Sequence, residues 1–158
     1  MGLFKDFFYC VDTSALIDLK KTYPRNIFPS LWENFEKLIS EGRIIAPREV
    51  LKELEQYADK TDVLLKWAKK NKKMFKDLDE AQLQNVSNIL SNHPNFANAG
   101  KQGPHADPFI VALAMSEGCS VITQESQTKA DKIPDICRKN NIESIPLIEF
   151  FIEQKWKF

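Results

Sequence analysis

Hydrophobic residues fall into two patterns along the chain, short apolar runs and longer segments in which they recur every three or four positions. The short runs suit buried strands, and they cover 8–11, 43–46, 120–123 and 143–145. The helical spacing covers 13–21, 30–42, 47–58, 63–68, 77–90, 107–117 and 147–154, with a short helix after Pro134. Because strands alternate with helices, the order favours a parallel sheet and an α/β fold.

Local signals place several of the boundaries between these elements. Ser30 stands three residues before Glu33, the spacing of a capping box, and Pro47 suits the first turn of a helix. Gly118 follows the most apolar helix, which should be central because it is hydrophobic nearly all round. The stretch 93–104, rich in Gly, Pro and Asn, predicts a surface loop.

Acids and hydroxyls stand where the predicted apolar elements begin or end. Asp12 closes the first strand, Asp107 opens the apolar helix, and Thr123 and Glu125 follow a later strand. Glu53 lies on the helix after the second strand. Such strand ends converge on one edge of a parallel sheet. Each residue also has a plain structural interpretation, as a helix cap for Asp12 and Asp107 or a turn residue for Glu125.

The helix that follows the second strand carries two acids, and helical geometry distinguishes them. At 100° per residue its apolar stripe is formed by Val50, Leu51, Leu54 and Tyr57. Glu53 lies roughly 90° from the centre of this stripe and Glu49 roughly 130°. Glu53 is therefore expected nearer the protein body, and Glu49 is expected to face solvent or to play an outer role.

Charge and cysteine content narrow the class of protein. The chain carries 22 Lys and Arg against 22 Asp and Glu, so no global field draws it to nucleic acid or membrane, and any attraction must come from local patches. Three cysteines without metal-ligand spacing indicate reduced thiols. No window has the length and apolarity of a membrane span or signal. A cytoplasmic protein without membrane association is expected.

Clustered carboxylates repel one another unless a cation neutralises them. A hard divalent ion such as Mg²⁺ or Mn²⁺ prefers oxygen ligands and keeps water molecules that can meet a phosphate. Metal-assisted hydrolysis of a phosphodiester is the chemistry that such a site supports. It needs no side-chain nucleophile.

These motifs resemble those of the PIN-domain ribonucleases, and more closely the VapC-like toxins. The resemblance rests on Val11-Asp12-Thr13-Ser14, Val50-x-x-Glu53-Leu54, Ala106-Asp107-Pro108-Phe109-Ile110 and Val121-Ile122-Thr123-Gln124-Glu125. It implies one PIN-like domain over 1–158, folded as a three-layer α/β/α sandwich around a short parallel sheet. Glu125 stands where many members have Asp.

The resemblance also implies roles for the candidate residues. Asp12, Glu53 and Asp107 are then the core acids, Ser14 a hydroxyl beside the first, and Thr123 and Glu125 the last element of the site. By the same resemblance the four acids Asp12, Glu53, Asp107 and Glu125 would hold Mg²⁺ or Mn²⁺. It further implies an RNA substrate, a frequent homodimer, and a type II toxin whose antitoxin blocks the site.

Two other functions stay open at the level of sequence. A PIN-like module could bind RNA or a partner protein without cutting. Asp12 could also accept a phosphoryl group, although the second acid of dehalogenase-like phosphatases is Ser14 here. Six lysines from Lys66 to Lys76 form either a solvated face or a phosphate-binding patch.

Overall fold

The computed structural model describes residues 8–57, 59, 61–96 and 105–158. Five strands form one sheet: β1 Tyr9–Val11, β2 Ile44–Pro47, β3 Phe75–Lys76, β4 Ser120–Ile122 and β5 Ser144–Ile145. The helices within those ranges are α1 Thr13–Thr22, α2 Pro29–Ser40, α3 Arg48–Tyr57, α4 Val63–Lys70, α5 Glu80–Asn92, α6 Asp107–Glu117, α7 Ile133–Lys139 and α8 Leu147–Glu153. A short 3₁₀ turn, Lys72–Met74, leads into β3.

The sheet order places β1 at the centre and makes every pairing parallel. The order is β3-β2-β1-β4-β5. The chain therefore runs outward from β1 through β2 to β3, then returns to the other side of β1 for β4 and β5. This reversal between β1 and β4 is the topological switch point, where open α/β sheets bind ligands outside the carboxyl ends of their strands.

The two faces of the sheet are covered by different layers. On one side α6 packs over β1, β2 and β4, and Cys10 Sγ donates a hydrogen bond to the Ile110 carbonyl at 3.8 Å. Tyr9 points the other way, as alternation along a strand requires, and its ring meets Phe150 of α8 edge to face at 4.8 Å. Phe35 of α2 packs against the Phe150 ring from another side. The expected α/β/α sandwich with a central parallel sheet is confirmed.

The central helix and its end agree with the sequence pattern. Residues 110–114 of α6 are all buried, which explains why no polar face interrupts them. Gly118 caps the helix with φ +68°, in the left-handed region where glycine has no steric penalty. The predicted loop 93–104 is described only as far as residue 96.

Two predicted helix starts were wrong. Helix α2 begins at Pro29, so Ser30 lies inside the first turn, and the residue before the helix, Phe28, makes no side-chain cap. The capping box is therefore absent there, because proline takes the first helical position. Pro47 is the last residue of β2 rather than part of the next helix, and it pairs with Lys76.

The third strand, β3, was not predicted. It has two residues, Phe75 and Lys76, of which the first is buried and the second exposed. Two residues are too few for alternation to be visible in the sequence. The helix after it was placed correctly, and its start has a true capping box formed by Asp79 and Gln82.

Candidate active site

Asp12 lies at the carboxyl end of β1, next to the end of the neighbouring strand β4. Its side chain is 1% exposed. The Thr123 hydroxyl, just after β4, donates a hydrogen bond to Asp12 Oδ2 at 2.8 Å. The backbone N–H of Asp12 also donates to the Ile122 carbonyl at 2.9 Å. The two strand ends on either side of the switch point are thus joined directly through a carboxylate.

Ser14 adds a second hydroxyl to the same carboxylate oxygen. Its Oγ donates to Asp12 Oδ2 at 2.6 Å and accepts the backbone N–H of Gln124 at 3.0 Å. Asp12 is the residue before helix α1, yet its side chain makes no capping hydrogen bond. A plain helix cap therefore does not account for the carboxylate, which is buried with hydroxyl partners instead.

Glu53 comes to the site from α3. The Thr13 hydroxyl, in the first turn of α1, donates to Glu53 Oε1 at 2.6 Å. Helical geometry therefore selected the acid that faces the Asp12 region. Glu49, expected to face solvent or to play an outer role, has a side chain that is 19% exposed and forms an ion pair with Lys52 at 3.8 Å. Thr13, which the sequence did not single out, positions Glu53.

Glu125 is tied to the helix that follows it. Its backbone N–H donates to Thr123 Oγ1 at 3.1 Å, and its Oε1 accepts the N–H of Ile133, the first residue of α7, at 3.1 Å. Glu125 is half-buried. The longer side chain, in place of the usual Asp, reaches a helix N-terminus eight residues away, and nothing in the local sequence indicates that contact.

Asp107 is the first residue of α6, and its side chain is half-buried. Ala106 holds the position before the helix, so the simple capping interpretation of Asp107 was wrong. Helix α6 packs against β1, β2 and β4. In the described part of the chain no hydrogen bond links Asp107 with Asp12, Ser14 or Thr123, so its membership of the site stays a prediction.

The environment of Asp12 disfavours its charge. Burial, then the nearby charge of Glu125, raise the pKa of Asp12 to about 6, and Glu53 adds to the effect. The hydrogen bonds from Ser14 and Thr123 act in the opposite direction, because they stabilise the ionised form. Across the described residues, no Lys or Arg forms an ion pair with these three acids. The cluster thus carries negative charge without a protein cation.

The donor set fits a hard divalent cation in chemistry, although its side chains are not gathered as ligands. Carboxylate and hydroxyl oxygens are what Mg²⁺ or Mn²⁺ prefers. Within residues 8–57, 59, 61–96 and 105–158, however, no three His, Cys, Asp or Glu side chains stand close enough together to hold one ion. The hydroxyls of Thr13, Ser14 and Thr123 meet the carboxylates instead.

A large cavity lies elsewhere, between the end of α1, α2 and α4. It has a volume of about 1230 Å³ and is lined by Trp32, Trp67, Val63 and Leu64 among others. None of the predicted site residues borders it. The cavity therefore belongs to a different surface from the acidic crevice.

The chain belongs to a family described as a domain of unknown function (DUF4411), whose model matches residues 9–158. Comparison with curated proteins finds no significant match. No helix in the described ranges has both the length and the apolarity to cross a membrane.

Two solved structures share the fold. VapBC2 from Rickettsia felis, crystallised with a DNA fragment from its promoter, has a chain that is 16% identical with a TM-score of 0.54, over 89% of this chain and 98% of that one. PAE2754 from Pyrobaculum aerophilum is 18% identical with a TM-score of 0.51, over 93% and 96%. The expected resemblance to VapC-like PIN-domain proteins is confirmed in the fold.

Proposed function

We propose that this protein is a metal-dependent endoribonuclease that hydrolyses phosphodiester bonds in RNA. The observation that carries the proposal is Asp12, a buried carboxylate at the switch point whose pKa is raised by burial and by two further acids. An uncompensated cluster of this kind at the edge of a sheet is costly for the fold. A divalent cation would offset that cost, and perturbed acids of this kind mark functional sites.

The cation would be held by Asp12, Glu53, Asp107 and Glu125. The acids that now accept hydrogen bonds from hydroxyls would rotate to reach it. When bound, Mg²⁺ or Mn²⁺ supplies positive charge to the scissile phosphate and lowers the pKa of water for attack. The protein positions the acids. Ser14 and Thr123 both hold Asp12 Oδ2 and leave Oδ1 without a hydrogen-bond donor in the described part of the chain.

The biological role that we propose is the toxin of a type II toxin-antitoxin pair. Support comes from the fold shared with a chain of VapBC2, a complex crystallised on promoter DNA. The acidic crevice would then be covered by an antitoxin protein, and the toxin would act in the cytoplasm. A homodimer is part of this proposal, and light scattering of the purified protein tests it.

A second candidate is a PIN-like module that binds RNA or a partner without cutting. Two observations favour this candidate. Glu125 already binds the N–H of Ile133, and the described acids are not gathered around one point. Asp12 suits phosphoryl transfer poorly, because it is 1% exposed and one of its oxygens accepts two hydroxyls.

The proposal is tested by incubating labelled RNA with the wild type and the Asp12→Asn variant in Mg²⁺, Mn²⁺ or EDTA. Cleavage by the wild type alone, and only with metal, is expected. Glu55→Gln, an exposed acid two residues from Glu53 on α3, is the matched control and should cut normally. Cleavage in EDTA, or by Asp12→Asn, contradicts the proposal. Metal binding with no cleavage favours the second candidate, the module that binds RNA or a partner without cutting.

Expression in cells separates a toxin from a housekeeping nuclease. We expect growth arrest on induction of the wild type and relief of the arrest by Asp107→Asn. Unimpeded growth with active enzyme in vitro would remove the toxin role and leave the nuclease.

A further inference from the structure

Positive charge is concentrated in one segment of an otherwise acidic chain. Residues 66–76, the lysine segment, contain Lys66, Lys69, Lys70, Lys72, Lys73 and Lys76 and no acid. The other residues carry 16 Lys and Arg against 22 Asp and Glu. The neutral total therefore conceals a strongly basic patch beside the acidic crevice of the proposed nuclease.

The structure displays these lysines on a rigid support. All six are exposed, while Trp67, Ala68, Met74 and Phe75 between them are buried. The segment runs from the end of α4 through the 3₁₀ turn into β3. In the described part of the chain none of the six lysines forms an ion pair, although other surface cations do. Their charges are thus available to a ligand.

The sheet register brings one end of the segment level with Asp12. Lys76 pairs with Pro47, and β2 pairs with β1 so that Cys10 faces Ile45. Continuing this register by two residues sets Asp12, Pro47 and Lys76 in one row across the sheet. Two strand spacings separate the ends of the row, about 10 Å. Helix α3, which carries Glu53, packs against β3 between them.

Lysines on an edge strand have another use, since they discourage pairing with a strand of a second chain. Only Lys76 lies in β3, however, and the other five precede it on α4 and the 3₁₀ turn. Protection of a two-residue edge does not account for them. A group of exposed cations whose last member is level with Asp12 suits a polyanion with regularly spaced phosphates.

We propose that the lysine segment binds backbone phosphates of single-stranded RNA and leads the strand to Asp12. The inference rests on the proposed function for its direction, but not for the binding itself. Lys72, Lys73 and Lys76 form the end nearest the sheet edge. Each would neutralise one phosphate and release condensed counterions, which makes the binding steeply dependent on salt.

The test measures binding without cleavage. A fluorescein-labelled 20-nucleotide single-stranded RNA is titrated with the Asp12→Asn protein in EDTA, by anisotropy, from 0.05 to 0.5 M KCl. Changing Lys72, Lys73 and Lys76 to Gln should reduce the slope of log K against log salt by about 2, since each single-strand phosphate contributes about 0.7. At 0.1 M KCl this corresponds to about 100-fold weaker binding, with the two lines meeting near 1 M.

The matched control removes three other exposed lysines, Lys21, Lys37 and Lys157, and should leave the slope unchanged. An equal loss in both triple variants would overturn the proposal, because the effect would then be one of net charge. So would an unchanged slope, the absence of RNA binding by the parent, or charge-dependent binding to phosphatidylserine vesicles without binding to RNA.

The outcomes separate this inference from the nuclease proposal. If the lysine changes reduce the slope but the wild type does not cut RNA with Mg²⁺ or Mn²⁺, the lysine segment is supported and the nuclease is contradicted. Metal-dependent cutting with an unchanged slope contradicts the lysine segment alone.

Discussion

Replacing Asp12 by Asn should stabilise the fold while abolishing the proposed activity. The carboxylate is buried beside two other acids, so its ionised form is disfavoured in the folded state. Asparagine keeps the size and one acceptor oxygen of the side chain but carries no charge. A higher free energy of unfolding in the variant would show that the negative charge of Asp12 destabilises the folded protein.

The expected size follows from the pKa of Asp12. Raising it from 3.8 to about 6 destabilises the ionised folded state by roughly 3 kcal/mol at neutral pH, at about 1.4 kcal/mol for each pKa unit. The amide N–H groups of Asn must find acceptors, which costs about 1 kcal/mol. The variant should therefore be more stable than the wild type by about 2 kcal/mol at pH 7.5.

The pH dependence has a defined sign. Between about pH 4 and pH 6 the folded protein keeps the Asp12 proton that the unfolded chain has lost. Because the folded state then binds more protons, the contribution of Asp12 to the free energy of unfolding falls as the pH rises and is constant above about 6. Acids with lowered pKa values, such as Asp62 and Asp135, act oppositely, so only the difference between variant and wild type is informative.

The assay is urea unfolding of both proteins in EDTA from pH 4.5 to pH 7.5, with Glu55→Gln as the control for a lost surface acid. The advantage of Asp12→Asn should grow with pH and then level off. With Mg²⁺ at 100 times its Kd, the wild type and Glu55→Gln should each gain about 2.7 kcal/mol, and Asp12→Asn should gain much less. If Asp12→Asn is the less stable protein in EDTA at pH 7.5, the electrostatic reasoning fails.

Three further predictions concern neighbouring residues. Thr13→Val removes the hydroxyl that holds Glu53 and should slow RNA cleavage about 10-fold with little loss of stability, while Thr13→Ser restores the rate; equal rates in all three proteins would contradict a positioning role. Tyr9→Phe removes hydrogen bonds to Glu153 and Gln154 and should lower the free energy of unfolding by about 1–2 kcal/mol in urea titration, and an unchanged value would show that these bonds contribute nothing. The three cysteines are buried and burial raises the pKa of each thiol, so a disulfide reagent should modify them only after denaturation, and rapid modification of the native protein would refute this.

The sequence indicated which strand ends would meet, because strand ends are visible in it. Asp12 and Thr123 each follow an apolar run, and parallel strands bring such ends together. Their hydrogen bond across the switch point agrees with that reasoning. The helical position of Glu53 agrees with its contact to Thr13, because the direction of a side chain on a helix follows from its position relative to the apolar stripe.

Contacts between distant segments were beyond prediction. The bond from Ile133 to Glu125 joins a turn to a helix N-terminus, and the bond from Thr13 to Glu53 joins two helices. Neither has a local signature, since both depend on how separate elements pack. The two-residue strand β3 was missed for the same reason: its identity comes from pairing with β2 rather than from its own sequence.

The bond between Thr123 and Asp12 joins residues 111 positions apart, and this has a consequence during protein synthesis. The strand that precedes Thr123, β4, is synthesised after β1, β2 and β3, although it lies beside β1 in the sheet. A nascent chain stopped anywhere before residue 123 lacks one wall of the crevice. The hydrogen-bonded environment of Asp12 is therefore completed only after residue 123 has been synthesised.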